Sequence, residues 1–348
     1  MATSRLIAAL VGAWALAAFA CSDREAESGS NPPGSTTVVV PSVARDGTDT
    51  ASPPPSASPT SPQTKPPGPA PTPRAGQNDL DGPWNRDLRV AFSSDGLSMG
   101  QASSFIERAG VPCVIRDSGE RLVAVFQWFP FDDAAAFDRV AVAFSTDGGT
   151  NWSKPVRMSF SGLPSNLMRP FDPTVVQLGD GRYRLYFTSN EQGGGGRPAI
   201  YSAISNDAVN YTFEAGARFA PAGGTVDAAA VWFGEKWHLF SHTAQAGTGK
   251  GYHAVSADGL LFEELAQVDV GSGRQWIGNA VVTGGVLRYY GSGRDGIWSA
   301  TSADGAAWTL DNGSRANGGD PSGVWLADGR LMLVFVGELR SDAGPRPN

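Results

Sequence analysis

One short element recurs along the chain and limits what it can fold into: a serine, one residue, an aspartate and usually a glycine. It occurs as Ser93-Ser94-Asp95-Gly96, Ser145-Thr146-Asp147-Gly148, Ser205-Asn206-Asp207, Ser256-Ala257-Asp258-Gly259 and Ser302-Ala303-Asp304-Gly305, its serines 52, 60, 51 and 46 residues apart. Ser and Asp side chains satisfy backbone amides in a tight turn and glycine takes the positive φ, so each copy reads as a hairpin. Four copies are followed by an aromatic, Trp152, Tyr211, Phe262 and Trp308, suited to packing between sheets. The spacing is that of a four-stranded propeller blade.

A second element alternates with the first. It reads Asp172-Pro173-Thr174-Val175-Val176, then Asp180-Gly181-Arg182, then Leu185-Tyr186-Phe187, and again Asp320-Pro321-Ser322-Gly323-Val324, then Asp328-Gly329-Arg330, then Leu333-Val334-Phe335. Weaker copies begin at Val111-Pro112, Asp227-Ala228 and Ile277-Gly278-Asn279. Each is an apolar strand, a turn and a second strand. The last unit lacks a finishing hairpin while the chain opens with an orphan one at Leu88 to Gly96, so the N-terminal strand is expected to complete the fifth blade and hide its edge. The expectation is an all-β chain folding, over residues 80–348, into a five-bladed β-propeller. Composition agrees: Gly 44 and Pro 25 of 348 residues, with 18% charged, favour short strands and turns over helices.

The first 79 residues read differently. Residues 1–20 have signal-peptide proportions, one arginine before an uncharged apolar run. Ala18-Phe19-Ala20-Cys21 resembles the lipobox of bacterial lipoproteins, which implies lipidation at Cys21, a membrane anchor, and an exported lipoprotein at the outer membrane or cell surface. Residues 21–79, rich in Pro, Ser and Thr, cannot bury enough apolar surface to offset their ordering entropy and are expected to act as a disordered tether. Cys113, in Val111-Pro112-Cys113-Val114-Ile115, is then without a disulfide partner and reads as a buried, inert thiol. The net charge of −7 and the absence of a basic run exclude a nucleic-acid partner. A monomer is expected.

Ser145-Thr146-Asp147-Gly148-Gly149-Thr150-Asn151-Trp152 resembles the Asp-box, or BNR repeat, of sialidases and related propellers. In that family such turns are structural and lie away from the ligand face. Sialidases begin their first blade with Arg-Ile-Pro, whereas this chain has Gly110-Val111-Pro112, so the first arginine of their carboxylate-binding triad is missing and sialidase activity is not expected. Five blades whose inner strands begin with aspartate are more similar to arabinanase- and xylosidase-like propeller glycosidases.

In a propeller the inner strands converge on the axis, so their first residues crowd one mouth: Val111, Asp172, Asp227, Asn279 and Asp320. The second strands return there with Trp128, Asn190-Glu191, His242, Arg294 and Glu338. Glycoside hydrolysis needs a proton donor and a carboxylate to activate water, and the candidates are Asp172 and Asp227 with Glu338 or Glu191 as acid. Trp128, Glu191, His242, Asn279, Arg294 and Asp320 are candidate ligand-binding residues. Each aspartate can equally serve only to cap its strand. No cofactor is expected; His242 leaves a central structural ion open, and His238 and His253 have no metal-ligand spacing. Two functions follow: a surface-tethered propeller that recognises a carbohydrate or a glycosylated partner without cleaving it, or a glycoside hydrolase.

Overall fold

The computed structural model describes residues 80–347 apart from 193–195, 244 and 246. The expected signal peptide, Cys21 and the tether lie outside the described residues.

After a 3-10 turn at Pro83–Asn85 come β1 (Arg86–Ser93) and β2 (Ser103–Ile106). The first blade is β3 (Ala109–Arg116), β4 (Leu122–Trp128), β5 (Arg139–Ser145) and β6 (Val156–Arg157). The second takes β7 (Ser159–Ser161), β8 (Phe171–Gln177), β9 (Tyr183–Ser189), β10 (Ala199–Ser205) and β11 (Asn210–Phe219). The third is β12 (Val226–Phe233), β13 (Lys236–His242), β14 (Lys250–Ser256), β15 (Glu263–Glu264) and β16 (Val268–Asp269). The fourth is β17 (Arg274–Thr283), β18 (Val286–Gly293), β19 (Trp298–Ser302) and β20 (Thr309–Leu310), and β21 (Gly319–Trp325) and β22 (Leu331–Leu339) end the chain's strands. In the fifth sheet the order is β2-β1-β22-β21, so the N-terminal strand pairs antiparallel with the last one, Val90 opposite Val334, and closes the ring. This is the five-bladed propeller expected from the repeat.

Strand alternation sends one face of each sheet toward each neighbouring blade, and the buried side chains form five cores, one at each seam. Leu88, Val334, Val114 and Phe126 join the fifth blade to the first. Val125, Val142, Val175 and Leu185 join the first to the second, and Tyr186, Ile200, Ala228 and Leu239 the second to the third. Phe240, Trp276, Leu287 and Tyr289 hold the third to the fourth; Tyr290, Ile297, Leu331 and Leu333 hold the fourth to the fifth. The aromatics after the hairpins go where the sequence suggested: Trp152, Tyr211, Phe262 and Trp308 each enter a different seam.

The hairpins share one hydrogen-bond scheme. Each serine hydroxyl donates to its aspartate, at 2.7 Å in Ser93–Asp95 and 2.8 Å in Ser145–Asp147, and accepts a following amide, 2.9 Å from Gly96 in the first copy. The aspartate accepts further amides, which holds Asp147 down at about 2, the Asn151 amide being the largest cause. In the copy without glycine, Ala208 takes the turn position at φ 63°.

Candidate functional site

The five inner strands β3, β8, β12, β17 and β21 neighbour one another around the axis. Each has a bulge near its start, between Gly110 and Cys113, Phe171 and Thr174, Val226 and Ala229, Arg274 and Gly278, and Gly319 and Ser322. At four of these bulges one residue has a positive φ: Val111 at 47°, Asp172 at 49°, Asp227 at 56° and Asp320 at 46°. Positive φ is uncommon outside glycine and a strained outlier for a β-branched residue such as Val111, and strain of this kind clusters where backbone is shaped for function. The fourth blade differs: strand pairing puts Ile277 in register with the aspartates, Gly278 has φ 146°, and Asn279 falls one step deeper.

The turned backbone is held from the preceding blade. The Asp227 amide donates to Thr188 Oγ1 at 3.0 Å, and the Asp320 amide to Ser292 Oγ at 2.8 Å. Thr188 and Ser292 hold matching positions on the second strands of their blades, and His242 is the third blade's residue in that register. His242 is 3% exposed and its Nδ1 has no hydrogen-bond partner; burial pushes its imidazole down to about 4.

Three carboxyls therefore share one end of the axis. Asp227 is buried, and Asp172 and Asp320 are partly exposed. Burial pushes Asp172 up to about 7, opposed by a hydrogen bond with Thr188 and reinforced by the charge of Asp320. Asp227 is raised further, first by burial and then by Asp172 and Asp320, and burial brings Asp320 up to about 6 despite its Ser292 hydrogen bond. Like charges confined together cannot all ionise, so the cluster holds protons near neutral pH. Beneath it a layer of Cys113, Thr174, Ala229, Asn279 and Ser322 fills the axis, with Asn279 Nδ2 donating to Cys113 Sγ at 3.1 Å and to Ser322 Oγ at 3.3 Å. Desolvation lifts the Cys113 thiol to about 11, which suits packing rather than nucleophilic attack.

The other expected site residues have contacts of their own. Glu338 is exposed and accepts a hydrogen bond from Asn317 at 2.7 Å. Glu191 is exposed at an isolated bridge with Leu167, and Arg294 is exposed, its amide bound to the Gly273 carbonyl at 2.8 Å. Trp128 is half-buried against the core between the fifth and first blades. His238 and His253 pair with each other at 2.9 Å inside the third blade's sheet. Among the described residues no group of three His, Cys, Asp or Glu side chains is arranged to hold a metal ion. Sequence reading missed a cluster beside the floor: Asp138, buried, receives Arg169, Arg346 at 2.8 Å and Gln127 at 2.7 Å. No motif marks it, because its members come from four separate stretches of chain.

No protein-family model and no curated protein matches the sequence. Solved structures do resemble it. Solved glycoside hydrolases share the fold. A family 117 glycoside hydrolase produced by the marine bacterium Zobellia galactanivorans is 14% identical, with a TM-score of 0.50 over 75% of this chain and 92% of that one. A family 43 β-1,3-galactosidase solved with galactodeoxynojirimycin is 12% identical, TM-score 0.50, covering 70% and 94%. The Bombyx mori family 32 β-fructofuranosidase is 14% identical, TM-score 0.51, covering 76% of this chain and 61% of its own. At these identities the likeness concerns the fold.

Proposed function

We propose that this propeller binds a carbohydrate at the axial mouth, with Asp172, Asp227 and Asp320 exchanging hydrogen bonds with sugar hydroxyls. The observation that carries the reading is the convergence of three carboxyls from three blades on a backbone bent to present them. Sugars offer closely spaced hydroxyls that both donate and accept, and a cluster that keeps a proton on one carboxyl while another is ionised can do both in return, the ionised oxygens making the stronger bonds. The neighbouring folds are named for sugar hydrolysis, which supports the same ligand class by analogy. Titration against a panel of arabinans, xylans, galactans and fructans is the test. Binding lost in the Asp172→Asn, Asp227→Asn double variant is the expected result; wild type and variant that bind alike, or bind nothing, would remove the reading.

A second reading, hydrolysis, is favoured by the raised carboxyls. The protonated Asp227 would give its proton to the leaving glycosidic oxygen while an ionised neighbour, Asp320 or Asp172, takes one from the attacking water. Glu338, exposed and tied to Asn317, is less suited to the acid role than Asp227. Release of reducing sugar with a bell-shaped pH dependence supports this reading, and its absence across the panel leaves binding alone. We also propose display from a membrane through Cys21 and the following spacer. Incorporation of labelled palmitate that disappears in Cys21→Ser tests it.

A further inference from the structure

Four guanidiniums gather at the seam between the first and second blades, two of them on one carboxylate. Asp138, at the end of the loop between β4 and β5, receives Arg169 and Arg346 on its side chain, and Arg169 Nε on its carbonyl at 2.8 Å. Arg139 and Arg157 complete the group without a carboxylate of their own among the described residues. Both are exposed; Arg139 Nη1 donates to the carbonyls of Phe137 at 3.2 Å and Asp138 at 2.9 Å, and Arg157 Nη1 to that of Ala135 at 2.9 Å. Asp132 and Asp133 on the same loop are exposed and form no ion pair among the described residues, Asp133 being used to accept the Ala135 and Ala136 amides. Partial burial, and then repulsion from Arg169, Arg157 and Arg346, holds Arg139 below its ordinary value against the opposing pull of Asp138.

A second feature adjoins these cations. Gln127 spends its Nε2 on Asp138 at 2.7 Å, while its Oε1 is buried with no hydrogen-bond partner. A buried acceptor left unpaired costs stability unless a ligand or water fills it. The charge of Asp138 also acts on Asp172, so the seam borders the axial floor. We propose that this seam is a subsite for the carboxylate of an acidic sugar: the guanidiniums of Arg139 and Arg157 clamp the anion, a ring hydroxyl donates to Gln127 Oε1, and the next ring reaches the axial aspartates. Guanidinium forks match carboxylates geometrically. The inference rests on the carbohydrate reading above and sharpens it from sugar to uronic acid.

The full chain is titrated with oligogalacturonate, with neutral galacto-oligosaccharide of equal length, and with polyglutamate. Oligogalacturonate is expected to bind about tenfold tighter than the neutral sugar in dilute buffer, and the margin should shrink in about 0.5 M salt as screening shortens the reach of the arginines. Arg139→Gln with Arg157→Gln should erase the margin and leave neutral binding and melting temperature nearly unchanged, since neither side chain forms an ion pair among the described residues and each bonds only backbone carbonyls of the loop before β5; Arg139→Lys should keep part of it. Equal affinity for the two sugars, a margin that survives the double variant, or polyglutamate binding as tightly as uronate would overturn the subsite while neutral-sugar binding kept the parent reading. Failure of both sugars to bind would overturn the two together.

Discussion

Asp172, Asp227 and Asp320 each combine an uncommon backbone angle with a carboxyl pushed well above its ordinary 3.8. The sign of the resulting pH dependence is fixed by linkage. Between 3.8 and about 6 the native Asp320 keeps a proton that the unfolded chain has lost, so this residue's contribution to stability is complete below 3.8 and falls as pH rises through 6. Asp320→Asn removes that loss. Its melting temperature at pH 8 should exceed that of wild type by about 2 to 4 °C, the shift made by about 1 kcal/mol in a chain of this size, with the difference gone at pH 3.5. Equal melting at pH 8 would show that burial does not penalise the ionised Asp320. The histidines act in the opposite sense. Burial, with help from His238, pushes His253 down from 6.5 to about 4, so the unfolded chain takes up a proton first as pH falls. Stability present above 6.5 is therefore lost toward 4. His253 stacks on Phe240 with ring centroids 4.7 Å apart, and His253→Phe keeps that stack. The variant should flatten part of the acid limb in denaturant titrations at pH 7, 5.5 and 4.5; an unchanged limb would assign the loss elsewhere.

At the scale of the element, the hairpin is the unit that makes the repeat. Ser205 is buried, accepts the amides of Asp207 at 3.1 Å and Ala208 at 3.0 Å, and donates to Asp207 Oδ1 at 2.8 Å. Ser205→Ala strands a buried amide and should cost about 1 to 3 kcal/mol in chemical denaturation, because an unmade buried hydrogen bond costs more than a made one contributes. A loss under about 0.5 kcal/mol would mean that water replaces the hydroxyl. This element was legible in sequence because Ser, Asp and the aromatic act within a few residues, and the orphan copy before Gly96 told which strand closes the ring. The axial aspartates were legible for the same reason, each opening an apolar strand. Asn279 was placed with them by the pattern Ile277-Gly278-Asn279, but register is set by pairing across the sheet, and the bulge before Gly278 shifts it by two residues into the layer beneath. The Asp138 cluster was not legible. Gln127, Asp138, Arg169 and Arg346 meet only through the folding of a loop and the return of the C-terminal segment, and no local rule encodes such a meeting.

The described residues form a ring in which the first and last strands share the fifth blade, and closure has two parts that differ in kind. The first is the pairing of β1 with β22, which buries Leu88 and Val90 in the core between the fifth and first blades. The second is the segment after Arg340, which returns to the N-terminal turn: Asn85 Nδ2 donates to the Gly344 carbonyl at 2.6 Å, its Oδ1 accepts the Gly344 amide at 3.1 Å, and Arg346 reaches Asp138. A propeller opened at its closing strand exposes both an apolar seam and an unpaired edge, whereas one that loses its pins keeps its sheets. Val90→Pro, placed between two partner strands at Ser103 and Val334, should therefore abolish the single cooperative transition and drive association. Removal of residues 341–348 should keep one transition and lower it by roughly 4 to 8 °C, the effect of the about 2 kcal/mol lost with the bonds that Gly344 makes to Asn85 and Trp84 and the ion pair of Arg346, while Asn85 keeps the Leu80 carbonyl at 2.9 Å. Calorimetry of the two variants checks the division. Should the truncated chain also lose its cooperative transition, the pins rather than the strand would be what closes the ring, and the arginines around Asp138, between the first and second blades, would owe their arrangement to Arg346 of the tail.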